Sequence, residues 1–166
     1  YFNVGVSSTV RLGRITGNLF EFCGDSVSPG ADGVIAFTSA TDPDTTGVII
    51  SGNTFLNSMH NDIAVNWAAG SDTMYDVIVT GNYSLNGRES FLIAARAQGI
   101  IVTNNYVRDG NSADSSAQAI GIWFTNGATG YIDNNTFINT LGSPLGCYQA
   151  IAANTGTVIG FTRTKG

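Results

Sequence analysis

Three acids stand at the head of short apolar runs: Asp32 before Gly33-Val34-Ile35-Ala36-Phe37, Asp62 before Ile63-Ala64-Val65-Asn66-Trp67, and Glu89 before Phe91-Leu92-Ile93-Ala94-Ala95. Paired carboxylates are the groups that hydrolyse glycosidic bonds, at separations of about 5 Å for retention and about 6.5–9.5 Å for inversion. If the runs stack as neighbouring strands, acids one rung apart are about 5 Å from each other and acids two rungs apart about 10 Å, which brackets both. Asp62, Glu89 and Asp32 are therefore the candidate catalytic residues. The row continues in amides, with Asn61 beside Asp62 and then Gln118 and Gln149, while the adjoining turns supply His60, Arg88, Arg108 and Asp109.

A second constellation lies further along these runs. Inward Ile120, Ile122 and Phe124 leave Trp123 outward, in the column expected for Asn66, and inward Phe91, Ile93 and Ala95 leave Arg96 outward beside it. An aromatic face with polar neighbours suits a pyranose ring, so Trp123, Arg96, Asn66, His60, Arg88 and Arg108 are the candidate substrate-binding residues. Each has a plainer reading. Acids and amides at strand starts commonly cap turns, a neighbouring Arg holds a carboxyl below the range of a general acid, Trp and Arg are equally at home in a subunit interface, and lone His60 has no partner fixed by spacing.

The elements that must position these residues are set by a repeat. Ile15-Thr16-Gly17-Asn18, Ile50-Ser51-Gly52-Asn53, Val79-Thr80-Gly81-Asn82, Val102-Thr103-Asn104-Asn105 and Ile132-Asp133-Asn134-Asn135 align column by column. The first column is β-branched and apolar and points inward by period-2 alternation; the second is polar and points outward. The third holds only Gly or Asn, the residues that tolerate a left-handed backbone, and predicts a bend at one place in every repeat. The fourth is always Asn and predicts an internal asparagine ladder. Two positions on, Phe20, Phe55, Val107 and Phe137 continue the inward column, broken by Ser84. Successive ladder positions are 35, 29, 23 and 30 residues apart. Fixed strands with variable connections predict an all-β solenoid of about five to six coils. Regular strand spacing also suits a β-sandwich; the four-column repeat favours the solenoid.

The segments Ile50-Ser51-Gly52-Asn53-Thr54-Phe55-Leu56-Asn57 and Ile132-Asp133-Asn134-Asn135-Thr136-Phe137-Ile138-Asn139 resemble the coil consensus of the pectate-lyase-like right-handed parallel β-helix superfamily. Within it the chain looks most like a β-helix segment of a bacteriophage tailspike or tail fibre. The resemblance implies a right-handed parallel β-helix, an extracellular or virion-surface setting, a polysaccharide partner with or without its depolymerisation by hydrolysis or lyase chemistry, and a homotrimer. A non-catalytic structural or receptor-binding segment fits the same motif. Lyases of the superfamily use Lys or Arg with calcium; Lys165 is the one lysine here and lies in the C-terminal tail, which argues against a Lys-based site and keeps open an Arg-based one through Arg88, Arg96 or Arg108.

Composition bounds the remaining possibilities. The 166 residues are 43% hydrophobic and only 11% charged, suiting one β-rich domain over residues 1–166. Phe2-Asn3-Val4-Gly5-Val6 reads as a second strand lacking the first strand of its coil, and Thr157-Val158-Ile159-Gly160-Phe161 as the first strand of another, so the domain is expected to be a segment of a longer chain. A net charge of -5 disfavours nucleic acid and anionic membrane surfaces, and no stretch has the apolar length for membrane insertion. No metal-ligand spacing appears and no cofactor is expected. Cys23 and Cys147 fall in the first and fifth coils, about 19 Å apart along the axis, too far for a disulfide. Asn82-Tyr83-Ser84 and Asn134-Asn135-Thr136 match the glycosylation sequon, but Asn82 belongs to the inward ladder.

Overall fold

The structure is a computed structural model that describes residues 4–6, 12–23, 33–37, 46–58, 61–65, 74–86, 89–93, 97–108, 119–124, 127–138, 148–153 and 158–161. These residues form β-strands and bends with no helix among them. In chain order the strands are β1 (Val4–Val6), β2 (Arg14–Thr16), β3 (Leu19–Glu21), β4 (Gly33–Phe37), β5 (Ile49–Ser51), β6 (Thr54–Leu56) and β7 (Asn61–Val65). They continue as β8 (Met74–Tyr75), β9 (Ile78–Thr80), β10 (Tyr83–Leu85), β11 (Glu89–Ile93), β12 (Ala97–Gln98) and β13 (Ile100–Thr103). The last are β14 (Tyr106–Arg108), β15 (Ala119–Phe124), β16 (Thr129–Asp133), β17 (Thr136–Ile138), β18 (Tyr148–Ala153) and β19 (Val158–Phe161).

Among the described residues every pairing is parallel, and each turn of the chain adds one strand to each of three sheets. The first-strand sheet runs β2-β5-β9-β13-β16-β19, the post-bend sheet β3-β6-β10-β14-β17, and the long-strand sheet β1-β4-β7-β11-β15-β18. A two-stranded sheet of β8 and β12 lies on the way back to the first. This is a β-helix-like solenoid. The sequence repeat showed two strands per coil; the inward column of Phe20, Phe55 and Val107 is in fact a separate third sheet beyond the bend. Two long strands also begin earlier than their apolar runs, at Asn61 and Glu89, because backbone pairing extends through polar residues at the start of a rung.

Alternation builds the core. Ile50, Val79, Val102 and Ile132 of the first-strand sheet, Phe55 and Val107 of the post-bend sheet, and Ile35, Ile63, Ile122 and Phe124 of the long-strand sheet are inaccessible to solvent. Phe20 stacks on Phe55 one rung away, ring centroids 5.1 Å apart. The bend between the first two sheets holds Gly17, Gly52, Gly81, Asn104 and Asn134, all left-handed at φ between +50° and +69°. Two further left-handed bends escaped the repeat: Leu12, Gly47, Asp76 and Gly99 before the first-strand sheet, and Phe22, Asn57 and Asn86 after the post-bend sheet.

Gly130 answers to packing instead. A Cβ there would meet the Ile100 carbonyl oxygen and lie 2.6 and 2.9 Å from the Phe124 ring. Gly130→Ala is expected to lower unfolding free energy by about 2 kcal/mol through overpacking, seen as a lower urea midpoint; an unchanged midpoint would show that the rung relaxes freely.

The ladder is continuous. Asn18, Asn53, Asn82 and Asn105 each donate both a backbone N–H and an Nδ2–H to the Oδ1 of the next asparagine at 2.9–3.0 Å, ending at Asn135. The second Nδ2–H of Asn53, Asn82, Asn105 and Asn135 goes to the backbone oxygen of Ile15, Ile50, Val79 and Val102 respectively, at 2.8–3.0 Å. Asn53, Asn82, Asn105 and Asn135 are buried, and buried amides persist where they are fully paired.

Candidate functional site

The long-strand sheet carries most of the described residues among those singled out by chemistry, and its register redraws their row. Asn61 pairs with Gly33 on one side and Glu89 on the other; Glu89 pairs with Ile120, and Ile120 with Gln149. The row is thus Gly33, Asn61, Glu89, Ile120 and Gln149. Asp62 lies one position further along and does not align with Glu89, and the place expected for Gln118 in the row is taken by Ile120. Strands of equal apolar length start at different distances from their polar heads, so aligning the heads misplaced them.

Asp62 has no solvent-accessible surface, nor does Asn61, and Ser58 retains 4%. All five residues of β7 are buried. Burial pushes the Asp62 carboxyl up from 3.8 to about 7, against the opposing influence of the Ser58 and Ser84 hydroxyls. Neither Asp62 oxygen, neither polar atom of the Asn61 amide, nor Ser58 Oγ has a partner at hydrogen-bond geometry; the two serines act on the carboxyl by proximity. A proton affinity near neutrality is what a general acid needs, but a general acid must also touch its substrate. Asp62 has no accessible surface with which to do so, and stands here as a buried carboxyl. What lowering there is comes from the two serines and not from the neighbouring Arg that was expected.

Glu89 is placed by its backbone in β11, next to Asn61 of β7. Trp123 is half-buried and pairs with Leu92 and Ala152. Because Leu92 pairs in turn with Ala64, the column of Trp123 contains Ala64 and not Asn66, a shift of two residues. Arg108 is exposed and belongs to the post-bend sheet, between Leu85 and Ile138, whereas Trp123 belongs to the long-strand sheet. Asp32, His60, Asn66, Arg88, Arg96, Asp109, Gln118 and Cys147 lie outside the described residues. Cys23 is a free, buried thiol, its S–H donating to the Glu21 carbonyl at 3.5 Å. Of the sequon asparagines, Asn82 is buried in the ladder and Asn134 is exposed at a bend, donating to Asn104 Oδ1 at 2.6 Å.

Sequence reasoning passed over the outer face of the post-bend sheet. One column there holds Leu19, Thr54, Tyr83, Tyr106 and Thr136; the other holds Glu21, Leu56, Leu85, Arg108 and Ile138. Tyr83 and Tyr106 stack with centroids 5.0 Å apart and rings 6° from parallel. Leu19 is 64% exposed and Phe22, on the adjoining bend, 60%. The signal was available one and three places after each ladder asparagine, where apolar residues recur at positions that alternation turns outward.

No cluster of three or more His, Cys, Asp or Glu residues suited to a metal occurs among the described residues. Among them no helix is long and apolar enough to cross a membrane. The chain matches no protein-family model, no curated protein and no solved structure.

Proposed function

We propose that the chain is a right-handed parallel β-helix segment that recognises an extracellular or cell-surface polysaccharide, in the manner of a phage tailspike, exposed on a virion or secreted and assembled as a homo-oligomer. The observation that carries the reading is the rung geometry: parallel coils in strict register align side chains in rows along the axis, the form of surface that suits a polymer. Trp123, half-buried on the long-strand sheet, is the aromatic platform assigned to the sugar, and Arg96, Asn66, His60 and Arg88, outside the described residues, are the polar groups proposed to hold it. Binding is favoured over cleavage by one specific fact. Asp62 has no accessible surface, which withdraws it from any acid pair and leaves Glu89 and Asp32 as the carboxylates a hydrolytic version requires.

The test is a panel of bacterial capsular and O-antigen polysaccharides, assayed for binding, for new reducing ends and for the ultraviolet absorbance of unsaturated uronates. Binding to at least one glycan is expected. Trp123→Ala should weaken that binding at least tenfold, equivalent to about 1.4 kcal/mol, with a thermal melt run alongside to separate lost contact from lost fold. New reducing ends abolished by Glu89→Gln would add hydrolysis to the function. Binding untouched by Trp123→Ala would move the site off this sheet.

A further inference from the structure

Over the rungs of β3, β6, β10 and β14, the two outward columns of the post-bend sheet are arranged so that the face complements a reversed copy of itself, with Thr136 and Ile138 of β17 outside the overlap. Rung by rung, one column reads Glu21, Leu56, Leu85, Arg108, and the other Leu19, Thr54, Tyr83, Tyr106. Glu21 and Arg108 are exposed and of opposite charge, with two leucines between them. A two-fold axis lying in the plane of the face, parallel to the strands and midway between β6 and β10, reverses the order of rungs and keeps each column opposite its own counterpart. It sets Glu21 against Arg108 of the second copy, Arg108 against Glu21, Leu56 against Leu85, and Leu19 against Tyr106. Two-fold interfaces require this reciprocity, in which residue i meets j while j meets i.

We infer that the post-bend sheet is a self-association face on which a second copy of this chain docks antiparallel. The occupant follows from the chemistry of the face. Tyr83 and Tyr106, both half-buried, spend their facing ring surfaces on each other, an arrangement poor for stacking a sugar and suited to a protein surface, where Tyr and Arg are enriched. Arg108 already has an interaction within its own chain; a guanidinium has five N–H donors and can serve both partners. The charges set the register and the orientation, since a parallel or shifted copy would bring Glu21 and Arg108 against apolar or like-charged positions.

The face is small. Strands of three residues make it about 10 Å wide and about 20 Å long, well short of the roughly 800 Å² per partner buried in a stable dimer. The pairing is therefore weak and reversible, and distinct from the trimer implied by the tailspike resemblance.

Sedimentation velocity on the full chain from roughly 10 to 500 μM, a range chosen for weak complexes, is expected to show a monomer–dimer equilibrium that weakens as salt is raised. Glu21→Arg and Arg108→Glu should each weaken it about tenfold, because each change breaks two symmetry-related pairs and sets like charges opposite one another. The double charge swap should restore association to the parental strength. A monomer at every concentration would overturn the proposal. So would an oligomer indifferent to both single changes, or a double swap that fails to rescue although all variants melt at the parental temperature.

Discussion

Asp62→Asn is expected to make the protein more stable than the parent at pH 8, by on the order of 4 kcal/mol, and to leave it little changed at pH 4. The folded chain holds the Asp62 proton with an affinity near pH 7, whereas the same carboxyl in the unfolded chain releases it near 3.8. Below 3.8 both states are protonated and ionisation costs nothing. Between 3.8 and about 7 the unfolded state ionises while the folded state does not, so stability falls as pH rises through this window. Above 7 the folded state must carry a buried carboxylate, and the loss levels off. About three decades of proton affinity at 1.36 kcal/mol each give the size of the effect. The neutral amide escapes it while keeping the shape of the side chain. Urea unfolding of parent and variant at pH 4, 6 and 8 measures the gap between them, which subtracts the other acids. Parallel profiles would mean that the carboxyl is hydrated in solution.

Asn82→Ala is expected to cost about 3 kcal/mol, whereas Asn18→Ala should cost less than about 1 kcal/mol. Removing the Asn82 side chain leaves the Asn53 backbone N–H without its acceptor and the Ile50 carbonyl without the Nδ2–H that it receives. Both groups are buried, and each such orphan costs about 1–3 kcal/mol. Asn105 Oδ1 still accepts the backbone N–H of residue 82, which limits the damage on the far side. Asn18 is exposed at the first rung; Asn53 Oδ1 keeps the backbone N–H of residue 18 after truncation, and water replaces the rest. Equal losses at the two positions would mean that the ladder is not the source of the stability. Chemical denaturation of both variants, compared at one pH, decides the matter.

The repeat disclosed the stacking because its four columns are backbone requirements: a β-branched inward residue, a left-handed bend and a buried amide leave few alternatives. The ladder residues and first-strand core positions were therefore legible one by one. The third sheet was harder to see. Its strands are only three residues long, and a single inward residue between two outward ones looks like the tail of the preceding strand. The left-handed bends at Leu12, Asp76 and Phe22 were illegible for a different reason, since these side chains do not advertise a conformation that their hydrogen-bonded neighbours impose. The polar row failed where composition had to stand in for register. Asp62 and Glu89 both head apolar runs, but their strands start at Asn61 and Glu89, and one residue of offset separates the two acids. Nothing in the local sequence of Asp62 distinguishes a solvated strand head from a buried carboxyl.

The direction of the asparagine ladder gives the solenoid a grammar. Every rung offers a carbonyl socket to the rung before it and a pair of N–H plugs to the rung after it, and all the amide dipoles point the same way along the stack. A coil inserted upside down would set socket against socket. A whole coil added or removed leaves every junction matched, whatever the length of its loops, which is how coils that vary from 23 to 35 residues share one unbroken column. Length can therefore change by whole coils, while the loops between them vary without disturbing the polarity of the rod.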